Sequence, residues 1–378
     1  MTLGETRTYD TAEKVVPLPA PHRIAVLHAG RVRIGNLPYS VFVAEWIRQL
    51  GPKPLRNAEA YQLSFQDWLS NNQQWFTADM EKSDVLEFIE NRARALVNTF
   101  NRVRSNQPDF EIDELLTAWT AEVMEIPRLE STTADAARVT FSKYSTEFDE
   151  IFEGIISPVV TGEHLKEAFT HYCANLFSSS WMTNSTLTFA GYGEFEIYPS
   201  FTIIQVHGFI DNQLRWVKGH SWSLSPKDDP VFAITMPAQR DAIDSYLRGY
   251  DEDMISALIE RADSEKAELL SMVRRKFDGD DEIQRRIDDA VNDVMKDFES
   301  GMWDTVSNYS EEKYIENLRI AIAALPAASL VDVARSLIEL QALRKTTTAQ
   351  ADTVGGPIDV GLITPADGFV WVRHKSIG

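Results

Sequence analysis

Few side chains in this sequence combine a reactive type with a suggestive position. Lys14 opens the apolar run KVVPL, and His28, Ala29 and Gly30 close the run HRIAVLHAG. A lysine of ordinary pKa is protonated at neutral pH and cannot attack, but its charge lowers the pKa of a neighbouring nucleophile. Each residue also has a plain structural reading: Lys14 as a solvated strand start, His28 as a core histidine bonded to a carbonyl. Gly30 could serve as a close-packing or positive-φ position. Cys173 is the one cysteine, so no intrachain disulfide can form. Its setting, HYCANLF, predicts a buried thiol in an apolar helix. The seven histidines show neither HExxH nor paired spacing, so no metal is expected. Gly-rich phosphate loops and nucleophile elbows are absent too, and no cofactor is expected.

The elements that would position these residues fall into alternating blocks. Thr8 to Arg33 reads as a strand pair, with continuous β-branched runs flanked by proline. Leu187 to Ile234 reads as successive antiparallel strands with a turn at Asp211-Asn212. Gly355 to Lys375 reads as a hairpin around Pro365-Ala366-Asp367-Gly368. Between them, Tyr39 to Met182 carries apolar residues at helical spacing, including Val85, Phe88, Ile89, Leu96 and Phe100. Ala238 to Lys345 is a second, more charged helical block. Its stripe of Ile283, Ile287, Val291, Val294 and Phe298, after a turn at FDGDDE, predicts a buried face on a helical hairpin. That hairpin could pack on its own domain or serve as an oligomer contact.

This order predicts an α+β protein: a four-layer αββα sandwich of two antiparallel sheets with long helical insertions. Residues 1–378 are expected to form a single domain, with 52–182 a helical insertion and 238–348 a helical block. The net charge of -20 repels phosphate, so neither nucleic acid nor a membrane surface is an expected partner. No run reaches the length of a membrane span, and MTLGETRTYD has neither an apolar core nor a basic region. A cytoplasmic location is expected.

EKVVPLPAPHRIAVLHAGR resembles the segment of proteasome β-type subunits that holds their catalytic lysine. LTFAGYGEFEIYPS, MPAQRDAIDSYLRGYD and TVGGPIDVGLITPADGFVWVRHK resemble later segments of a bacterial branch of proteasome-like proteins, in the same order. The resemblance implies an N-terminal-nucleophile (Ntn) hydrolase of the threonine-peptidase type, a homo-oligomer acting on peptide or protein substrates, with an ATPase partner possible. A terminal Thr, Ser or Cys would attack the amide while its own amino group handles the proton. By resemblance, Lys14 takes the lysine position and the Gly30 amide the oxyanion hole, while His28 lines the substrate pocket. Thr2, counted back from Lys14, falls where active subunits pair with substrate. The strands carrying the nucleophile and its Asp need roughly 20 residues before that lysine. Only 13 residues precede Lys14, so the sequence as it stands is expected to be inactive as a peptidase. The alternative is a non-catalytic scaffold or regulatory subunit that binds proteins through its helical insertions.

Overall fold

The computed structural model describes residues 14–30, 33–34, 37–129, 132–160, 162, 164–180, 185–210, 213–224, 227, 234–235, 241–276, 281–347 and 357–374. In chain order the elements are β1 (Val15–Pro17), β2 (Arg23–Gly30), β3 (Arg33–Ile34), β4 (Leu37–Pro38), α1 (Tyr39–Leu50), α2 (Ala58–Asn71) and α3 (Ala78–Asn106). Next come α4 (Ile112–Glu125), α5 (Ala134–Lys143), α6 (Ser145–Ile155), α7 (Leu165–Phe177), β5 (Ser185–Tyr192), β6 (Ser200–Ile210) and β7 (Gln213–Ser223). Last are α8 (Asp241–Arg248), α9 (Glu252–Lys276), α10 (Asp281–Ser310), α11 (Glu316–Ala323), α12 (Ala327–Thr347), β8 (Val360–Thr364) and β9 (Gly368–Arg373). The protein is therefore a mixed α+β chain with antiparallel sheets. No described helix is long and apolar enough to cross a membrane.

The chain divides into two compact units, one of residues 11–224 and 362–371, the other of residues 1–10, 225–361 and 372–378. In the first, five strands pair antiparallel in the order β1-β2-β5-β6-β7, joining segments far apart in sequence. The apolar runs of β2 and β5 are buried along most of their length because both lie inside the sheet. On one face α1 and α2 lay down Trp46, Tyr61 and Phe65 against Phe189 and Ile204, all at most 1% exposed. Trp46 meets Phe65 and Phe189 edge-on, at 5.3 and 6.0 Å between centroids, a geometry that suits the ring quadrupoles. Asn57 starts α2 by accepting from the Ala60 amide at 2.9 Å.

The helices α3 to α7 build a second core around Phe88, Ile89, Leu96, Phe100, Phe169 and Phe177. Every apolar position singled out on α3 is buried there, because one turn-to-turn stripe faces α6 and its neighbours. Cys173 is fully buried in this core, and burial pushes its thiol well above the usual range.

In the other unit α8, α11 and α12 accompany the long helices α9 and α10. Gln341 of α12 accepts from the Ala242 amide at 3.0 Å and donates to Asp241 at 2.5 Å, and Arg344 pairs with Asp251 at 2.9 Å. The Ser310 hydroxyl donates to the Arg248 carbonyl at 2.7 Å, fixing the root of α10 to α8.

The helical and β-rich blocks expected from the sequence are present where they are described, and the β8–β9 turn falls at Pro365–Asp367. The turn expected at Asp211-Asn212 and most of the one at FDGDDE lie outside the described residues. One expectation is corrected. Ile283, Val294 and Phe298 are 41, 66 and 53% exposed, so the α10 stripe is not a buried face. Two packed helices cover only a narrow seam, and Ile287 and Val291, which lie in it, are half-buried.

Candidate functional site

The strand ladder brings part of the sequence-derived set together at one end of the five-stranded sheet. The Lys14 carbonyl accepts from the His28 amide at 2.9 Å, and the β1–β2 register continues through Val15 opposite Leu27. Gly30 lies opposite Ser185 of β5, which lies opposite Val206 of β6. Gly30 adopts φ 78°, a left-handed conformation that glycine reaches at little cost. Lys14, His28 and Gly30 thus share one end of the sheet, but their side chains face different surroundings. Lys14 is exposed, whereas His28 is buried with its ring 5.0 Å from that of Tyr39. Thr2 lies outside the described residues.

Next to Ser185 and Val206, the same end carries a polar cluster that neither spacing nor resemblance brings out. Strand β6 slips register between Val206 and Phe209. At this bulge Gly208 adopts φ 90°, and a Cβ there would lie 3.3 Å from Asp84 Oδ2. Both the dihedral and the approach of the carboxylate call for glycine. The bulge holds His207 at 2% exposure, with no hydrogen-bond partner for either ring nitrogen among the described residues. Burial first, and the charge of Arg215 second, hold its pKa down at about 3, so the imidazole is neutral at physiological pH. His22 forms a useful contrast in the same unit: its Nδ1 meets Tyr61 Oη at 2.7 Å and its Nε2 the Gly51 carbonyl at 2.9 Å. Buried polar groups normally find partners in this way, and His207 is among the exceptions, with both of its ring nitrogens open among the described residues.

Arg215 of β7 is buried and reaches the backbone of His207. Its guanidinium donates to the carbonyls of His207, at 3.1 Å, and Phe177. It also stacks 3.7 Å from the centroid of the Phe177 ring. Burial lowers its pKa to about 9, while the negative charge of Asp84 works the other way. A small cavity of about 10 Å³ is lined by His207, Ser185, Tyr39, Arg33, Ile34 and Asp84, room for one water-sized group. A second pocket of about 300 Å³ is lined by Glu81, Lys143, Phe76, Phe209, Ile34 and Asp84. Ile34 and Asp84 line both.

This arrangement can hold a ligand group that both donates and accepts, since a neutral imidazole offers one of each. It is a weak arrangement for proton abstraction, because a base held near pKa 3 lies far from the operating pH. Among the described residues no group of three or more His, Cys, Asp or Glu could hold a metal ion.

No family model, curated protein or solved structure matches this chain.

Sequence reasoning missed Asp84, His207 and Arg215. Only the contrast of a histidine and an arginine inside two otherwise strand-like runs, QVHGFI and QLRWV, marks two of them.

Proposed function

We propose that the end of the sheet formed by β2, β5 and β6 binds a small amide-bearing ligand, such as the end of a peptide. The protein then acts by binding rather than by peptide hydrolysis. The observation carrying this reading is the buried His207, neither of whose ring nitrogens has a partner among the described residues. The oxygen or nitrogen of a carboxamide reaching the water-sized cavity pairs with one of the two ring nitrogens, and the rest of the ligand lies in the larger pocket that shares Ile34 and Asp84 with it. A cytoplasmic location belongs to the same proposal, since the lone buried Cys173 leaves no disulfide for an oxidising compartment to form.

The test is to titrate glycinamide, with acetate as control, into protein labelled at its histidine rings. The His207 nitrogens are expected to shift with glycinamide and hardly with acetate, and the response should vanish in His207→Phe. Equal response to both ligands, or none to either, overturns the reading.

A second reading follows the proteasome β-type resemblance: a cytoplasmic, homo-oligomeric Ntn hydrolase built as a four-layer sandwich of two sheets. The register supports it, since Lys14 lies opposite His28 and Gly30 opposite Ser185 at one sheet end. The exposure of Lys14 counts against it, because a lysine that activates a nucleophile must be shielded from water. Turnover of unfolded protein or peptide amides, lost on Lys14→Ala with the fold intact, would establish this reading over the first.

A further inference from the structure

The helices α9 and α10 lack a core of their own. From residue 256 to residue 309 no described residue is buried. Half-buried positions recur at Ile259, Ala262, Lys266, Leu270 and Val273 on α9, and at Ile287, Val291 and Met295 on α10. That spacing is the narrow seam of a two-helix hairpin. A further apolar row lies outside the seam: Leu258, Leu269 and Met272 on α9, and Ile283, Val294 and Phe298 on α10, are all 41–66% exposed. Between the helices runs a groove of about 560 Å³, whose lining includes Leu269, Ile283, Arg286, Ile287, Val291 and Val294. Large contiguous apolar surface of this kind marks an interaction site.

Three carboxylates beside the groove, set against the single Arg286 in its lining, bear on what covers it. Asp289, Asp293 and Asp297 follow one another at intervals of four, so they form a single ridge along α10. Each is followed directly by Ala290, Val294 or Phe298, so the acidic ridge runs beside the apolar one. Like charges at this spacing repel one another. No described cation pairs with any of the three, whereas Asp288 nearby is paired with Arg274 at 2.7 Å. A second copy of the chain would bring the same aspartates to the seam, and the chain's net charge of -20 adds to that repulsion.

We infer that this groove receives a cationic amphipathic helix from another protein, whose apolar face covers Ile283, Val294 and Phe298. Lysines or arginines on its flank meet Asp289, Asp293 and Asp297. The binding mode is a helix laid in a groove, with apolar anchors giving affinity and the charge pairs fixing orientation.

The experiment uses the full chain and a labelled Leu/Lys amphipathic peptide about five turns long, beside a Leu/Glu peptide of identical apolar pattern. Anisotropy should report saturable binding of the Leu/Lys peptide alone. Val294→Asp should weaken it at least about tenfold, and so should the triple change Asp289→Asn, Asp293→Asn, Asp297→Asn. Circular dichroism should show the helices of both variants intact. Unspecific attraction to an acidic protein would survive either change, and that result overturns the inference, as does equal binding of the two peptides or of neither. Sedimentation provides the remaining arm: a dimer of the full chain that Val294→Asp converts to monomer would assign the groove to a second copy instead.

Discussion

The face where α1 and α2 meet the five-stranded sheet and the hairpin of α9 and α10 are both apolar, but they use that character in opposite ways. On the first, Trp46, Phe65 and Phe189 close against one another at centroid distances of 5.3 to 6.0 Å and are withdrawn from water. On the second, Val294 and Phe298 stay more than half exposed. The two regions have similar residue types and differ in layers. A helix on a sheet encloses a side chain from all sides, whereas a helix on one other helix encloses only the seam residues. Apolar content alone therefore does not tell stability from recognition; the number of layers around it does.

Mutations at the two ends of this contrast should separate cleanly. Trp46→Ala opens a cavity inside the sheet–helix core and removes the indole hydrogen bond to Ser64 at 3.2 Å. A loss of about 3–5 kcal/mol is expected, read as a lower urea midpoint; a loss near zero would mean that the core collapses to fill the space.

The next largest effect is expected at His207. Its folded-state pKa of about 3 lies below the usual 6.5, so the unfolded chain binds more protons between those values. Stability is then complete above pH 6.5 and falls as pH drops toward 3. Between pH 6.5 and pH 5 the loss should be about 2 kcal/mol. His207→Gln should flatten this acid limb, and an unchanged pH profile would show that the imidazole is not desolvated.

Gly208→Ala forces a side chain into a left-handed backbone 3.3 Å from Asp84 Oδ2. A cost of about 1–3 kcal/mol in the same denaturation assay is expected. Phe298→Ala completes the series with a change within about 0.5 kcal/mol, since the ring is largely in water already. A larger loss there would mean that the hairpin is covered in the isolated protein and would remove the contrast.

Much of this arrangement is legible in the amino-acid order. The runs containing Ile24–Ala29 and Leu187–Leu224 predict long paired strands, and they pair as neighbours in one sheet. The helical spacing of Val85 to Phe100 also identifies a buried face. The polar cluster is less legible for a physical reason. Asp84 comes from α3, His207 from a bulge in β6 and Arg215 from β7, and only tertiary packing brings them together. The bulge shifts the two-residue alternation by which a strand's inward positions are read. The α10 stripe shows the converse limit: periodicity defines an apolar face without saying whether anything covers it.

The pairing of β2 with β5 has a consequence for how the chain is made. During synthesis β2 emerges with β1 as a local hairpin, long before its other neighbour exists, because α1 to α7 are translated in between. Closing so long a loop late is slow, and an unpaired strand edge waiting in the meantime can capture another nascent chain. The core of α3 to α7 can form meanwhile from contacts within its own segment. Once compact, it shortens the effective span that β5 must bridge, so the insertion acts during synthesis as a built-in tether holding the two halves of the sheet within reach of each other.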